Sequence, residues 1–115
     1  MRICFDLDDT LCVGKPYQYA KPHYWARQVL EDLKADGHTI IIYIARGMGS
    51  SGGCIGIATA NVARLTLEQL GSWGFIYDEI YFGKPAADLY IDDKSFSIIQ
   101  PNEIRSHVEA LITRR

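Results

Sequence analysis

The chain reads as an α/β three-layer sandwich around a mainly parallel sheet, and three features of the sequence predict it. Short apolar runs alternate with stretches of helical periodicity, the pattern of parallel strands joined through helices. Thr39-Ile40-Ile41-Ile42-Tyr43-Ile44 is β-branched and continuously apolar, as expected of a central strand covered on both faces. A length of 115 residues suits one domain, residues 1–115, with one hydrophobic core.

Arg2 to Phe5 is a short buried strand. Gly14, Pro16 and two tyrosines make Leu11 to Tyr19 a loop or small hairpin. A helix is expected from about Pro22, since proline fits a first turn. Its apolar face is Ala26, Val29, Leu30 and Leu33, and Gly37 supplies a left-handed stop. After the strand at 39–44 comes a glycine-rich loop from Arg46 to Gly56, then a second amphipathic helix from Ile57 to Trp73 with Val62, Leu65 and Leu70 inward. Phe75 to Phe82 resembles a strand interrupted by Asp78-Glu79. Leu89-Tyr90-Ile91 is a short strand, and Pro101 opens a terminal helix with Ile104, Val108, Leu111 and Ile112 inward.

The composition is that of an ordinary globular protein. A net charge of −2 and a pI near 5.8 argue against a nucleic-acid-coating surface, and Thr113-Arg114-Arg115 suits a solvated helix end. No apolar run is long enough to span a bilayer, and Met1-Arg2 runs straight into a strand rather than a signal peptide, so no membrane partner is expected. Cys4, Cys12 and Cys54 lack CxxC or zinc-finger spacing and read as reduced thiols of a cytoplasmic protein. His23, His38 and His107 show no metal-site spacing. Trp25 and Trp73 read as packing residues and are candidates for a homo-oligomer contact.

The chemistry lies at two strand ends. Ile3-Cys4-Phe5-Asp6-Leu7-Asp8-Asp9-Thr10 delivers two close carboxylates, Asp6 and Asp8, from an apolar run, an arrangement that is costly unless a cation or a shared proton relieves it. A second cluster follows at Lys84-Pro85 and Leu89-Tyr90-Ile91-Asp92-Asp93-Lys94. Ligands of open parallel sheets gather at the carboxyl ends of strands, which places Asp6, Asp8, Ala45-Arg46 and Asp92-Asp93 on one rim. A phosphomonoester entering there requires a hard, oxygen-seeking cation, and Mg²⁺ fits. Asp6 is then placed to attack phosphorus, and Asp8 to protonate the leaving oxygen and later activate water. Lys84 neutralises the crowded charge, and Asp92 completes the metal site.

Asp6-Leu7-Asp8-Asp9-Thr10 resembles the DxDxT signature of the haloacid dehalogenase (HAD) phosphatase superfamily. Lys84 resembles its third-motif lysine, and Asp92-Asp93 its fourth-motif acidic pair. More narrowly, Ala45-Arg46-Gly47-Met48 and the stretch from Phe82 to Lys94 resemble a small capless subgroup associated with capsule and surface-polysaccharide biosynthesis phosphatases. The resemblance implies a HAD-like Rossmannoid fold with no cap domain and a Mg²⁺-dependent phosphomonoester hydrolase acting on a sugar phosphate or polysaccharide precursor. It implies Asp6 as nucleophile, Asp8 as general acid/base and Lys84 as the third catalytic group. The phosphoryl group would be bound by Leu7, Asp8, Ala45, Arg46 and Lys84. The metal would be held by Asp6, the Asp8 carbonyl and Asp92, with Asp93 outside the direct ligand set. Little chain separates the DxDxT motif from the first helix, or Lys84 from Asp92, so neither usual cap position has room.

One position departs from the pattern. The second motif ends in a Thr or Ser whose hydroxyl binds the phosphoryl group, and here that position is Ile44. Losing such a bond removes on the order of 1.5–3 kcal/mol, or about ten- to a hundred-fold in rate. Ile44 motivates an alternative, a HAD-like protein that binds phosphate and metal without efficient turnover. Arg46 reads either as a grip on a substrate anion or as a loop brace. Tyr17 and Tyr19 read either as a stacking surface for a sugar or as packing residues, and Thr10 as a buttress of the turn. Gly47-Met48-Gly49-Ser50-Ser51-Gly52 formally matches the dinucleotide fingerprint GxGxxG. It follows the second strand, its helix is delayed by Gly53-Cys54-Ile55-Gly56, and no acid tips the next strand, so it reads as a flexible loop beside the site. A receiver-like phospho-aspartate domain would need an acid where this chain has Ile44-Ala45.

Overall fold

A computed structural model describes residues 1–97 and 99–113, apart from the Ser97 side chain. The fold is the α/β sandwich that the sequence predicts. Four parallel strands, β1 (Arg2–Asp6), β4 (Thr39–Tyr43), β5 (Glu79–Tyr81) and β6 (Leu89–Ile91), form a sheet of order β5-β4-β1-β6. The register sets Asp6 opposite Tyr43 and Phe5 opposite Ile91, so the ends of the two central strands and β6 share one rim. Helices α1 (Ala26–Ala35), α2 (Ile55–Trp73) and α3 (Ile104–Thr113) complete the fold.

Alternation along the strands divides the sheet into two different faces. Ile3, Phe5 and Leu7 of the first strand segment, with Ile40, Ile42, Ile44 and Ile91, join Leu30 and Leu33 of α1, Leu70 of α2, and Ile104 and Val108 of α3 in one apolar core. Right-handed crossovers explain why α1 and α2 share that face, since both connections step the same way across the sheet. The return from β5 to β6 runs in the opposite sense and lies over the other face, without a helix. That connection, residues 82–88, is tied down there by Arg2, whose guanidinium donates to the Ala86 carbonyl at 3.1 Å and pairs with Glu79, and by the Tyr90 hydroxyl, which donates to the Pro85 carbonyl at 2.5 Å. The layer opposite the helices is thus a thin strap, on the face to which Cys4 and Ile41 belong.

Local differences from the sequence reading have identifiable causes. Pro22 does not start α1. It pairs with Cys12 in an antiparallel hairpin of β2 (Cys12–Val13) and β3 (Lys21–Pro22), and helical structure waits until Ala26. Helix α2 begins at Ile55, two residues early, so Gly56 lies in its first turn. Residues 75–78 are outside β5, although Asp78 fastens its start by accepting the Ile40 N–H at 2.8 Å. In α3, Ile104 and Val108 are buried and Leu111 partly so, whereas Ile112 faces outward. Two ion pairs lash the helical layer and sheet: Arg105 with Asp36 at 2.5 Å and Lys34 with Asp78 at 2.5 Å. Each cation holds its carboxyl below the usual range, so both contributions are present above about pH 4 and fade as pH falls further.

Gly37 ends α1 as the sequence predicts. Its φ of +92° lets the His38 N–H reach the Leu33 carbonyl at 3.2 Å and its own N–H reach Lys34 at 3.0 Å, satisfying two carbonyls the helix leaves open. No atom lies within 4 Å of a Cβ built there, so an alanine pays only for the backbone conformation. Gly37→Ala is expected to lower stability by about 1–2 kcal/mol, read by urea denaturation. An unchanged midpoint would show that the left-handed turn is not needed.

Candidate active site

The first strand delivers its carboxylate through a tight turn. After Asp6, the N–H groups of Thr10, Leu11 and Cys12 converge on the Leu7 carbonyl at 3.3, 2.9 and 3.2 Å. Asp9 takes the left-handed φ of 64° that closes this turn, a conformation that Asp tolerates better than most residues. Thr10 is fully buried and its hydroxyl has no hydrogen-bond partner among the described residues, so the turn is held by backbone and Thr10 contributes packing rather than a side-chain buttress.

On the strap side of the rim, Asp6, Lys84, Asp92 and Asp93 line one cavity of about 260 Å³ with Tyr43, Tyr90 and Lys94. Residues from β1, the β5–β6 strap and the end of β6 therefore meet as the sequence predicts. Asp92 is fixed by its own loop, its Oδ1 accepting the N–H groups of Lys94 at 3.0 Å and Ser95 at 3.3 Å. The Lys84 ammonium sits 4.4 Å from the Tyr90 ring centroid. Tyr90 thereby supports Lys84 twice, through its ring and through the hydroxyl bond to Pro85. Tyr90 belongs to the Phe82–Lys94 stretch, which assigns it no role; its contact with Lys84 follows from its outward register beside buried Ile91 on β6.

Electrostatics single out Asp6. Burial, then the charges of Asp8, Asp92 and Asp93, push its carboxyl up to about 6, with the Leu7 backbone opposing in part. Burial, then the charges of Asp6, Cys4 and Asp92, raises the Tyr43 hydroxyl. Among the described residues no three His, Cys, Asp or Glu side chains form a ready-made metal cage.

The remaining predicted site residues stand elsewhere. Asp8 does not line the cavity; its carboxylate is gripped by the Arg46 guanidinium, Nε to Oδ2 at 2.9 Å and the second terminal nitrogen to Oδ1 at 3.0 Å. Arg46 is 1% exposed and also bonds Thr66 and Gln69, so its side chain braces rather than grips a substrate anion. Leu7 is buried and its N–H is donated to the Tyr43 carbonyl at 3.1 Å, away from the phosphate role expected of it. Ala45 is exposed at the start of the β4–α2 loop. Ile44 is 1% exposed and packs in the core beside the sheet. Tyr17 lies under Arg46, 5.1 Å from its guanidinium carbon, and so packs as a neighbour would; Tyr19 is exposed. Cys4 and Cys12 are buried, burial raising both thiols, to about 11 and about 12, while Cys54 is exposed.

No family model matches the chain, and no curated protein does. Among solved structures, the chain is similar to an MCSG target from Vibrio cholerae, with a TM-score of 0.70 and 27% identity over 96% of this chain and 98% of that chain. The likeness therefore extends across the whole α/β fold described above. Among the described residues no helix is long and apolar enough to cross a membrane.

The crowding at Asp6 has a thermodynamic signature. Its folded-state value lies above the ordinary 3.8, so above pH 6 the carboxylate is ionised in both states and the fold bears the full repulsion. That penalty shrinks as pH falls from 6 to 4 and vanishes below. In metal-free buffer, Asp6→Asn is expected to stabilise the protein by on the order of 1–3 kcal/mol at pH 8 and to have little effect at pH 4. Thermal melts at the two pH values check this, and destabilisation at pH 8 would contradict it.

Proposed function

We propose that this protein is a capless, HAD-like, Mg²⁺-dependent phosphomonoester hydrolase working through an aspartyl-phosphate on Asp6. The observation that carries the reading is the repelled Asp6 carboxylate sharing one cavity with the Lys84 ammonium and Asp92. A half-buried carboxylate held against three like charges is unfavourable for stability alone and suits a site that receives a cation and a phosphate.

The donors fit magnesium in kind. All are hard carboxylate or carbonyl oxygens, and Mg²⁺ takes one or two carboxylates and keeps waters and a substrate phosphate oxygen, so it needs no closed protein cage. Asp6, the Asp8 carbonyl and Asp92 would hold it, with Asp93 outside them. When bound, it neutralises phosphate charge beside the carboxylates. Asp6 supplies the attacking oxygen and Lys84 balances charge on the phosphoryl oxygens; Asp8 would have to leave the Arg46 guanidinium to exchange a proton with the leaving oxygen and then with water.

The hairpin Cys12–Pro22 fills the place between the DxDxT motif and α1, and the strap fills the place between Lys84 and Asp92. An uncapped cavity with tyrosine walls suits a sugar phosphate or a polysaccharide precursor as substrate. Unpaired cysteines fit a reducing, cytoplasmic setting.

The wild-type protein is expected to hydrolyse p-nitrophenyl phosphate only with Mg²⁺, and Asp6→Asn to lower the rate at least about a thousandfold. Full activity in that variant would overturn the reading. Ile44 favours a second one, a protein that binds phosphate and metal without efficient turnover. Metal binding by wild type, with no hydrolysis across a panel of phosphate esters, would support it.

A further inference from the structure

Lys84 is held by an aromatic ring in a place where an acid would be the ordinary partner. It lies on the strap between β5 and β6 and lines a cavity whose wall includes Asp6, Asp92 and Asp93. In that company an ammonium on a flexible four-carbon stem has every electrostatic reason to fold onto a carboxylate. Among the described residues no carboxylate forms an ion pair with it. Instead the Tyr90 ring lies against it, 4.4 Å from ammonium to centroid. The sheet dictates this placement. Tyr90 is in register with Cys4 on β1 and so stands on the strap face, where its hydroxyl donates to the Pro85 carbonyl at 2.5 Å. Two more ties follow along the strap: the Arg2 guanidinium donates to the Ala86 carbonyl at 3.1 Å, and the Arg2 N–H to the Asp88 carboxylate at 2.7 Å. The strap is thus pinned from residue 85 onward, and the ring orients the lysine just before the pins. A ring quadrupole attracts a cation without neutralising it.

We infer that Tyr90 is a positioning residue for Lys84, holding the ammonium in the cavity with its charge uncompensated and open to an incoming phosphoryl group; the inference rests on the phosphatase reading above. Without the ring, Lys84 swings to one of the three carboxylates beside it. An arriving phosphate must then break that internal ion pair before it gains the lysine. Phosphate affinity therefore falls although the lysine is still present.

The test is a double-mutant cycle read as the dissociation constant of inorganic phosphate, by calorimetric titration at saturating Mg²⁺. Tyr90→Phe keeps the ring and drops the tie to Pro85, whereas Tyr90→Leu drops both. Each is made in the wild-type protein and in Lys84→Met, and each variant is first melted to establish that it is folded at the titration temperature. Beside Lys84, Tyr90→Leu is expected to weaken phosphate about fivefold and Tyr90→Phe about twofold, with KM for p-nitrophenyl phosphate rising in step. In Lys84→Met both losses are expected to vanish, because the ring acts only through the lysine. Equal losses in the two backgrounds, the mark of a tyrosine that touches phosphate itself or merely supports the cavity, would overturn the inference and leave the phosphatase reading intact. Unchanged constants beside Lys84 would do the same. Where Tyr90→Leu fails to fold, Tyr90→Phe decides by the same criterion. A wild type that neither binds phosphate nor hydrolyses the ester would sink the phosphatase reading and this inference with it.

Discussion

The structure turns on an unfavourable interaction. At the end of β1 the fold holds the Asp6 carboxylate, partly buried, near Asp8, Asp92 and Asp93, and its proton affinity rises accordingly. Every element around it either creates or tolerates that crowding. β1 is central, with β4 and β6 on its flanks, so its end cannot swing away from β6 and its acids. The turn after Asp6 is closed by three N–H groups on one carbonyl, which commits Asp8 to the same rim.

The two faces of the sheet divide the work of stability and chemistry. All three helices contribute to a single core on one face, which supplies the apolar burial that offsets the repulsion at the rim. Among the described residues the other face carries the strap of residues 82–88, held by Arg2, Tyr90 and Asp88 rather than by a helix. A strap of this kind brings Lys84 to the cavity without covering it. The charges at the rim are then shared between two sides: Asp6, Lys84 and Asp92 on the cavity, Asp8 and Arg46 beneath the hairpin.

Much of this was legible in the chain because the signals are local. The run Ile3–Asp6, the β-branched strand 39–43 and the acids after Ile91 each announce a strand end within a few residues, and parallel topology then forces those ends together. What the sequence concealed depends on distant partners. Pro22 satisfies the local rule for a helix start, but Cys12 claims it for a hairpin. Arg46 opens a glycine-rich loop and reads as a grip on a substrate anion or a loop brace; Asp8 from the turn after β1 and Thr66 and Gln69 from α2, two separate segments, make its burial tolerable. Ile44 shows the same limit from the other side. Its missing hydroxyl is plain in the sequence, whereas its contribution to the core appears only once α1, α2 and α3 are packed.

The central claim is that Asp6 is a carboxylate held in a state that a cation relieves. Site-resolved ¹³C NMR titration of the Asp6 carboxyl, with and without Mg²⁺, measures this directly. The account predicts a midpoint of about 6 in metal-free buffer and a clear fall when Mg²⁺ is added. An ordinary carboxylate midpoint that Mg²⁺ leaves unmoved would contradict it.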